Sequence, residues 1–320
     1  MPFISHDDMR SDNGLALSRP GADPARNPIA AAMLAGVQLR ALRGDLTLAA
    51  AARRVGWSAA KLSRLENGWQ APKPGDAAKF LNAFQAAPEV QSAVEELVMH
   101  AQAAKSHWLH AYRDLVAADV QRLIALESAA AFLITYEAKI VPGLAQTPSY
   151  YRALFAAHRK PCLNDELERR AALRRRRQEL FFANPAGAAF FLEEDSLYRE
   201  IGSPQVMAEQ INHLISLTYR ENFDIRIITR KHLVASSVSS MTKLDFGSSP
   251  LRELIYNETL TGADYYTDAP DVASFPGEPR RLAEMERYEE ELRHLMRLGV
   301  EQTGARVLLL KALRHFEALI

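Results

Sequence analysis

The run Leu46-Thr-Leu-Ala-Ala-Ala-Ala-Arg-Arg-Val-Gly-Trp-Ser-Ala-Ala-Lys-Leu-Ser-Arg-Leu-Glu-Asn-Gly68 constrains this chain more than any other stretch. Thr47 suits the cap of a helix that carries Ala51, Ala52 and Val55 on one face. Ala52 is small enough to let a second helix cross closely. Gly56 can take the left-handed conformation that a sharp helix-to-helix turn needs. Trp57 plugs that turn and Ser58 caps the next helix. Leu62 and Leu65 point inward, and Asn67-Gly68 ends the helix. Every residue type in the run suits a tight corner of two short helices.

The second helix then presents Ala59, Ala60, Lys61, Ser63 and Arg64 on its outer face. In a corner of this kind the N-terminal end of the second helix enters the major groove of DNA. Arg64 has the fork geometry for a bidentate contact to guanine, and the two alanines can touch thymine methyls. Lys61 and Gln70 suit phosphates. Arg40, Arg43, Arg53, Arg54, Lys61, Arg64 and Lys73 outnumber Asp45 and Glu66 in this region, although the whole chain balances 39 basic against 39 acidic residues. That balance argues against a general polyanion coat and leaves a small basic head on a neutral body. The plainer reading of the same residues is a helical hairpin with a solvated basic face.

Leu39-Arg-x-Leu-Arg43, Leu46-Thr47, Val55-Gly-Trp-Ser58 and Leu62-Ser-Arg-Leu-Glu-Asn-Gly68 together resemble the lambda-repressor-like, or xenobiotic-response-element, family of helix-turn-helix regulators. The resemblance implies a compact helical domain, operator DNA (double-stranded) as partner, and a homodimer on a two-fold site. It also implies that Arg43 pairs with Glu66 inside the domain and that Ser58, Ala59, Ala60, Lys61 and Arg64 face DNA. Thr47, Ser63 and Gln70 complete the candidate DNA-binding set. Two departures stand out. The Gly44-Asp45 link is short, and alanines occupy two positions where Gln or Ser is common.

Along the chain, residues 1–27 mix Ser, Asp, Gly, Pro and Asn without apolar period and read as a flexible arm. Residues 28–104 are helical in pattern, with a break at Ala87-Pro88. The pattern blurs over Lys105–Val116, read as a hinge. Helical spacing returns at Leu123, Leu126, Ala130 and Ile134, and Val141-Pro-Gly ends that helix. A short helix over Ser149–His158 follows. Asp165–Phe182 reads as a long helix, with Asn164 as its N-cap. Beyond Asn184 come candidate strands at Ala188–Leu192, Phe223–Ile228, Met241–Phe246 and Arg252–Tyr256, with a hairpin turn at Gly247–Pro250. Helices at Pro204–Tyr219, Gly277–Leu298 and Glu301–Ala318 complete the pattern. The expectation is an all-α N-terminal helix-turn-helix domain followed by a larger α+β domain over residues 105–320 that regulates and dimerises.

A second set of residues belongs to that larger domain. Trp108, Leu126-Glu127, Tyr136-Glu137, Val141-Pro-Gly-Leu-Ala-Gln-Thr147, Tyr150-Tyr-Arg-Ala153, Arg174–Gln178, Gly202, Met207, Gln210 and Tyr256–Gly262 resemble the domain that follows the helix-turn-helix in antitoxin-like regulators of actinobacteria. The resemblance implies control of a neighbouring gene for a small partner protein; a small acidic protein or a small-molecule effector is the expected second partner. Read from the residues, Pro142-Gly143 forces a turn after a helix, a structural corner in preference to the alternative of a ligand site. Glu127 and Glu137 sit amid apolar residues, where pairing with arginines is the plain reading. Arg170, Arg174, Arg175, Arg176 and Arg177 form a basic stripe with three uses open: an acidic partner, DNA phosphates, or the glutamates of its own helix.

Signals for catalysis are weak. His107 and His110 are spaced i, i+3, without a third metal ligand nearby, and Trp108 stands where a zinc-protease helix would need glutamate. Glu193, Glu194 and Asp195 follow a strand as surface acids commonly do. No glycine-rich phosphate loop, nucleophile elbow or Cys/His pair is present. The single cysteine, Cys162, permits no internal disulfide. The expectation is a cytoplasmic regulator that is not an enzyme and uses no cofactor.

Overall fold

The computed structural model describes residues 27–103, 108–157, 164–183, 187–232, 239–247, 253–259, 262–267 and 278–320, with side chains in the last segment from residue 284. The arm reading for residues 1–26 lies outside these. Asn27 is the N-cap of the first described helix, α1 (Pro28–Arg43), and its side chain accepts from the amides of Ile29 and Ala30. There follow α2 (Leu48–Arg54), α3 (Ala59–Glu66), α4 (Pro74–Ala83) and α5 (Pro88–Gln102). Pro74 and Pro88 occupy first-turn positions, where the missing N–H costs nothing.

These helices close on a core of Leu39, Ala51, Ala52, Val55, Leu62, Leu65, Phe80, Leu81, Val94 and Val98. Two glycines set the closest crossing. A β-carbon at Gly36 of α1 would stand 2.5 Å from the Leu65 carbonyl oxygen. At Gly68, where φ is +62°, it would stand 2.6 Å from Met33 Cα. The end of α3 is thus laid directly on α1.

The second domain is α+β. It begins with a 3₁₀ turn (Trp108–Tyr112) and α6 (Ala118–Glu127). Strand β1 (Phe132–Glu137), α7 (Pro148–Ala156), α8 (Asn164–Ala183), β2 (Gly187–Glu193), α9 (Glu194–Tyr198), α10 (Pro204–Leu217) and β3 (Phe223–Ile228) follow. Then come β4 (Ser240–Asp245), β5 (Glu253–Thr259), β6 (Gly262–Thr267), α11 (Glu278–Leu298), the short β7 (Gly299–Val300) and α12 (Gln302–Glu317). The sheet order is β6-β5-β4-β1-β2-β3-β7. The β1-β2-β3 pairs are parallel and the remaining pairs antiparallel. Alternation along the strands gives two cores. Leu133, Phe190, Leu192, Ile225 and Leu244 pack under α7, α8, α10 and α12. Ile134, Phe191, Met241 and Ile255 pack under α11.

Several sequence expectations are corrected here. The helical spacing through Leu123, Leu126, Ala130 and Ile134 spans two elements: α6 stops at Glu127, and Phe132–Glu137 is a central strand. Phe132-Leu-Ile-Thr-Tyr is buried on both sides, so it lacks the alternation that marks a half-exposed strand. Strand β6 was not expected at all. Asn164 is the first helical residue of α8 rather than its cap. The hairpin turn expected at residues 247–250 lies mostly outside the described residues, though β4 and β5 do pair antiparallel.

The domains interlock. Ala30, Met33 and Leu34 of α1 belong to the core of the second domain. Asn27 Nδ2 donates to the Ala125 carbonyl at 2.7 Å and to Ser128 Oγ at 3.1 Å, fastening the start of α1 to the end of α6.

Candidate nucleic-acid interface

The corner is built by its caps. Thr47 Oγ1 accepts from the Ala50 amide and Ser58 Oγ from the Lys61 amide, each at 3.2 Å. Gly56 turns the chain with φ +65°. The Trp57 amide donates to the Ala52 carbonyl at 2.8 Å, and the Trp57 ring stacks on Phe80 at 5.8 Å. Thr47, Ser58, Ala59, Ala60 and Arg64 are exposed along one side, together with Arg53, Arg54 and Lys73. This exposed, locally basic set includes a helix with small residues at its N-terminal end. Such an end suits a major groove, and the charge suits phosphates.

The remaining members of the candidate DNA-binding set are placed differently. Lys61 Nζ pairs with Asp76 Oδ1 at 2.7 Å and lies 4.4 Å from the centre of the Trp57 ring. It is therefore held as a strut between α3 and α4. Ser63 is half-buried, and its carbonyl accepts from Asn67 Nδ2 at 2.7 Å. Gln70 is half-buried, and its amide closes the end of α3 on the Arg64 carbonyl at 3.2 Å.

Arg43 and Glu66 are buried together. Nε donates to Oε1 at 2.8 Å, and Nη1 donates to the Leu46 carbonyl. Burial pushes the Glu66 carboxyl above its ordinary range, and Arg43 pulls it back. The pair ties the end of α1 to the end of α3 and also satisfies the short link after α1.

Sequence reasoning missed a second arginine that holds α3. Arg122 of α6 is buried and donates from Nη2 to the Asn67 carbonyl at 2.8 Å and from Nη1 to the Gly68 carbonyl at 3.3 Å. Its guanidinium lies 4.4 Å from the Trp69 ring and 5.3 Å from the Tyr265 ring. Burial pulls it down to about 10, and it remains cationic at neutral pH. A cation here meets the negative end of α3, where the carbonyls lack helical partners. Tyr265 in turn donates its hydroxyl to the Asp119 carbonyl at 2.5 Å. The C-terminal end of the candidate reading helix is therefore gripped by the second domain. The missed signal was a lone arginine beside the apolar spacing of Leu123 and Leu126.

The basic stripe on α8 does not form one surface. Arg177 makes a two-pronged contact to Glu127 at 2.6 and 2.7 Å, facing inward. Arg174 lies 4.3 Å from the centre of the Tyr151 ring. Arg170 pairs with Glu166, and Arg176 with Glu179. Only Arg175 and Arg176 of this group are exposed. His107 lies outside the described residues; His110 sits 3.1 Å from Arg113. The acids at the end of β2 and the start of α9 have local partners: Tyr136 donates to Glu193 at 2.5 Å, and Arg230 pairs with Asp195 at 2.5 Å.

Two family models match the chain. Residues 34–94 match the model described as a helix-turn-helix domain. Residues 120–297, more than half of the chain, match the model described as a domain of unknown function, DUF5753. The chain belongs to the DUF5753 family. No curated protein and no solved structure matches it. The DUF5753 match opens within α6, two residues before Arg122, and runs to the end of α11, so Arg122 belongs to that domain while the carbonyls it binds belong to the helix-turn-helix. Among the described residues no helix is long and apolar enough to cross a membrane.

Proposed function

We propose that this chain is a sequence-specific transcription regulator whose helix-turn-helix reads an operator as a two-fold dimer, and whose DUF5753 domain receives a signal from a small partner protein or a small-molecule effector. The observation that carries the reading is the exposed face of α3: Ala59, Ala60 and Arg64 stand clear of the body, while Asn67 and Gly68 at its other end are held by Arg122. Arg64 is the residue on this face able to discriminate a base strongly. Thr47, Ser58 and the flanking Arg53, Arg54 and Lys73 set the register on phosphates. Lys61 contributes by placing α3 on α4. The grip of Arg122 gives the second domain direct leverage on the reading helix, which favours regulation over a passive tether. Xenobiotic-response-element membership and a cytoplasmic, non-enzymatic role fit the same reading.

The test is footprinting on the DNA upstream of the protein's own gene. The expectation is a protected pseudo-palindrome whose half-sites are one helical turn apart, about 34–36 Å. Uniform, sequence-independent protection at all concentrations would contradict it.

A second reading is an antitoxin-like protein that neutralises a partner by contact and uses DNA binding for its own control. Arg175 and Arg176 favour it, since they remain exposed on α8 after their neighbours turn inward. Charge reversal of both should then abolish capture of the adjacent gene's product and spare DNA binding.

A further inference from the structure

The arginines of α8 differ in one respect. Arg169 meets Asp114, Arg170 meets Glu166, Arg176 meets Glu179 and Arg177 meets Glu127. Arg174 has no carboxylate within ion-pair distance among the described residues. Its guanidinium faces the Tyr151 ring and hydrogen-bonds to that tyrosine, and its nearest strong field comes from Arg177, a like charge. The side chain is half-buried and keeps some accessible surface. Glu127, already held by Arg177, lends it only a partial field, and an enclosed cation outside an ion pair is costly, by several kcal/mol in general.

The seat is rigid. A β-carbon at Gly143 would collide with Arg174 Nη1 and stand 3.1 Å from Arg177 Nη1, so both forks rest against bare backbone. Side-chain amides lock that backbone. Gln178 donates to the Gln146 carbonyl at 2.7 Å, Gln146 to the Val141 carbonyl at 2.7 Å, and Gln210 to the Ala145 carbonyl at 2.7 Å. The Val141 amide donates to the Tyr150 hydroxyl at 3.3 Å, and the Thr147 amide to Gln210 Oε1 at 2.7 Å. A corner this thoroughly fixed holds a guanidinium fork in one orientation, the arrangement that recognises a planar or tetrahedral oxyanion. Glu137, at the end of β1, is close enough to feel both arginines. Burial pushes its carboxyl up to about 7, so near neutrality a large share of it carries a proton and can donate to an anion rather than repel it.

We infer that Arg174, seated against Gly143 and Tyr151 beside Arg177, anchors a binding site for a small oxyanion, carried as a carboxylate or a phosphate group. This rests on the reading of the DUF5753 domain as signal-receiving and names the chemistry of the signal. Arg177 already holds Glu127, the last residue of α6, and α6 also carries Arg122. An oxyanion at Arg174 therefore sits one ion pair away from the element that grips the reading helix.

The test uses the full chain without DNA, titrated with inorganic phosphate and separately with malonate at constant ionic strength in chloride. One of the two anions, at low millimolar concentration, is expected to raise Tm by several degrees. Whichever acts identifies the group. The shift should fall by more than half in Arg174→Lys and in Gly143→Ala, whose methyl displaces the guanidinium, and should persist in Arg314→Ala on the exposed side of α12. No shift beyond chloride with either anion overturns the inference. An equal shift in wild type, Arg174→Lys and Gly143→Ala does so too, since it would mark a general salt effect. Operator binding measured on the same samples separates the claims: its loss overturns the regulatory reading, whereas failure of the anion titration alone overturns only this site.

Discussion

The chain buries arginines beside glutamates in two places, and the two places are built differently. In the helix-turn-helix, Arg43 and Glu66 are nearly inaccessible and partner each other at the crossing of α1 and α3. Arg43 bonds Glu66 directly, and Arg40, buried as well, adds its field at Glu66, so the site reads as structure. In the DUF5753 domain, Glu127 is matched to Arg177, but Arg174 lies alongside with no carboxylate in ion-pair distance among the described residues. At the first site the partners are tied directly across a helix crossing; at the second, an arginine stands beside an ion pair rather than in it.

The comparison can be broken by mutation, starting with the largest effect. Arg43→Ala strands Glu66 in the core and is expected to cost about 3–5 kcal/mol in denaturant unfolding. A loss under 1 kcal/mol would show that the pair does not hold the corner. Glu127→Ala leaves Arg174 and Arg177 side by side without the carboxylate that Arg177 is bonded to. Its cost should be smaller, about 2–4 kcal/mol, because Arg177 keeps some contact with solvent. Saturating the site with the effective oxyanion should recover part of that loss, and an anion-insensitive cost would undo the idea of an oxyanion site at Arg174.

Arg122→Met removes two charge-assisted bonds to the end of α3 while keeping its bulk. About 1.5–3 kcal/mol should be lost, with the helix-turn-helix unfolding ahead of the second domain. A single unchanged transition would show that the grip carries no load. The smallest effect concerns Glu137. Burial raises its carboxyl from the ordinary 4.5 to about 7, so the folded state binds the proton more tightly than the unfolded chain. Stability should then fall as pH rises from about 4.5 through 7, with the full penalty present above that window. Glu137→Gln is expected to gain about 1–2 kcal/mol at pH 8 and nothing at pH 4, the benefit limited by the residual exposure of the site. An equal difference at both pH values would mean that titration is not the cause.

The two domains also differ in how much their residues disclose. The helix-turn-helix is legible because its signals are local. Thr47, Gly56 and Ser58 each act within a turn of where they stand. The core of the second domain is less so. Its central strand β1 is buried on both faces and continues the apolar spacing of α6 by coincidence, so period alone reads it as helix. The inward turn of Arg174 and Arg177 depends on Glu127, Gly143 and Tyr151, which the chain brings together from distant segments. Arg122 escaped for the same reason: its partners are backbone carbonyls 54 and 55 residues away, which leave no side-chain signature. Arg64 was identifiable because an exposed helical face can be read from spacing.

The central claim is that the exposed face of α3 reads bases. Its most direct test is the affinity of Arg64→Ala for the footprinted operator and for single-base variants of it, at fixed salt. The account predicts a loss of about 1–3 kcal/mol, roughly 5- to 150-fold in Kd, with discrimination relaxed at one position in each half-site and with folding stability unchanged. Unchanged affinity together with unchanged base preference would contradict it.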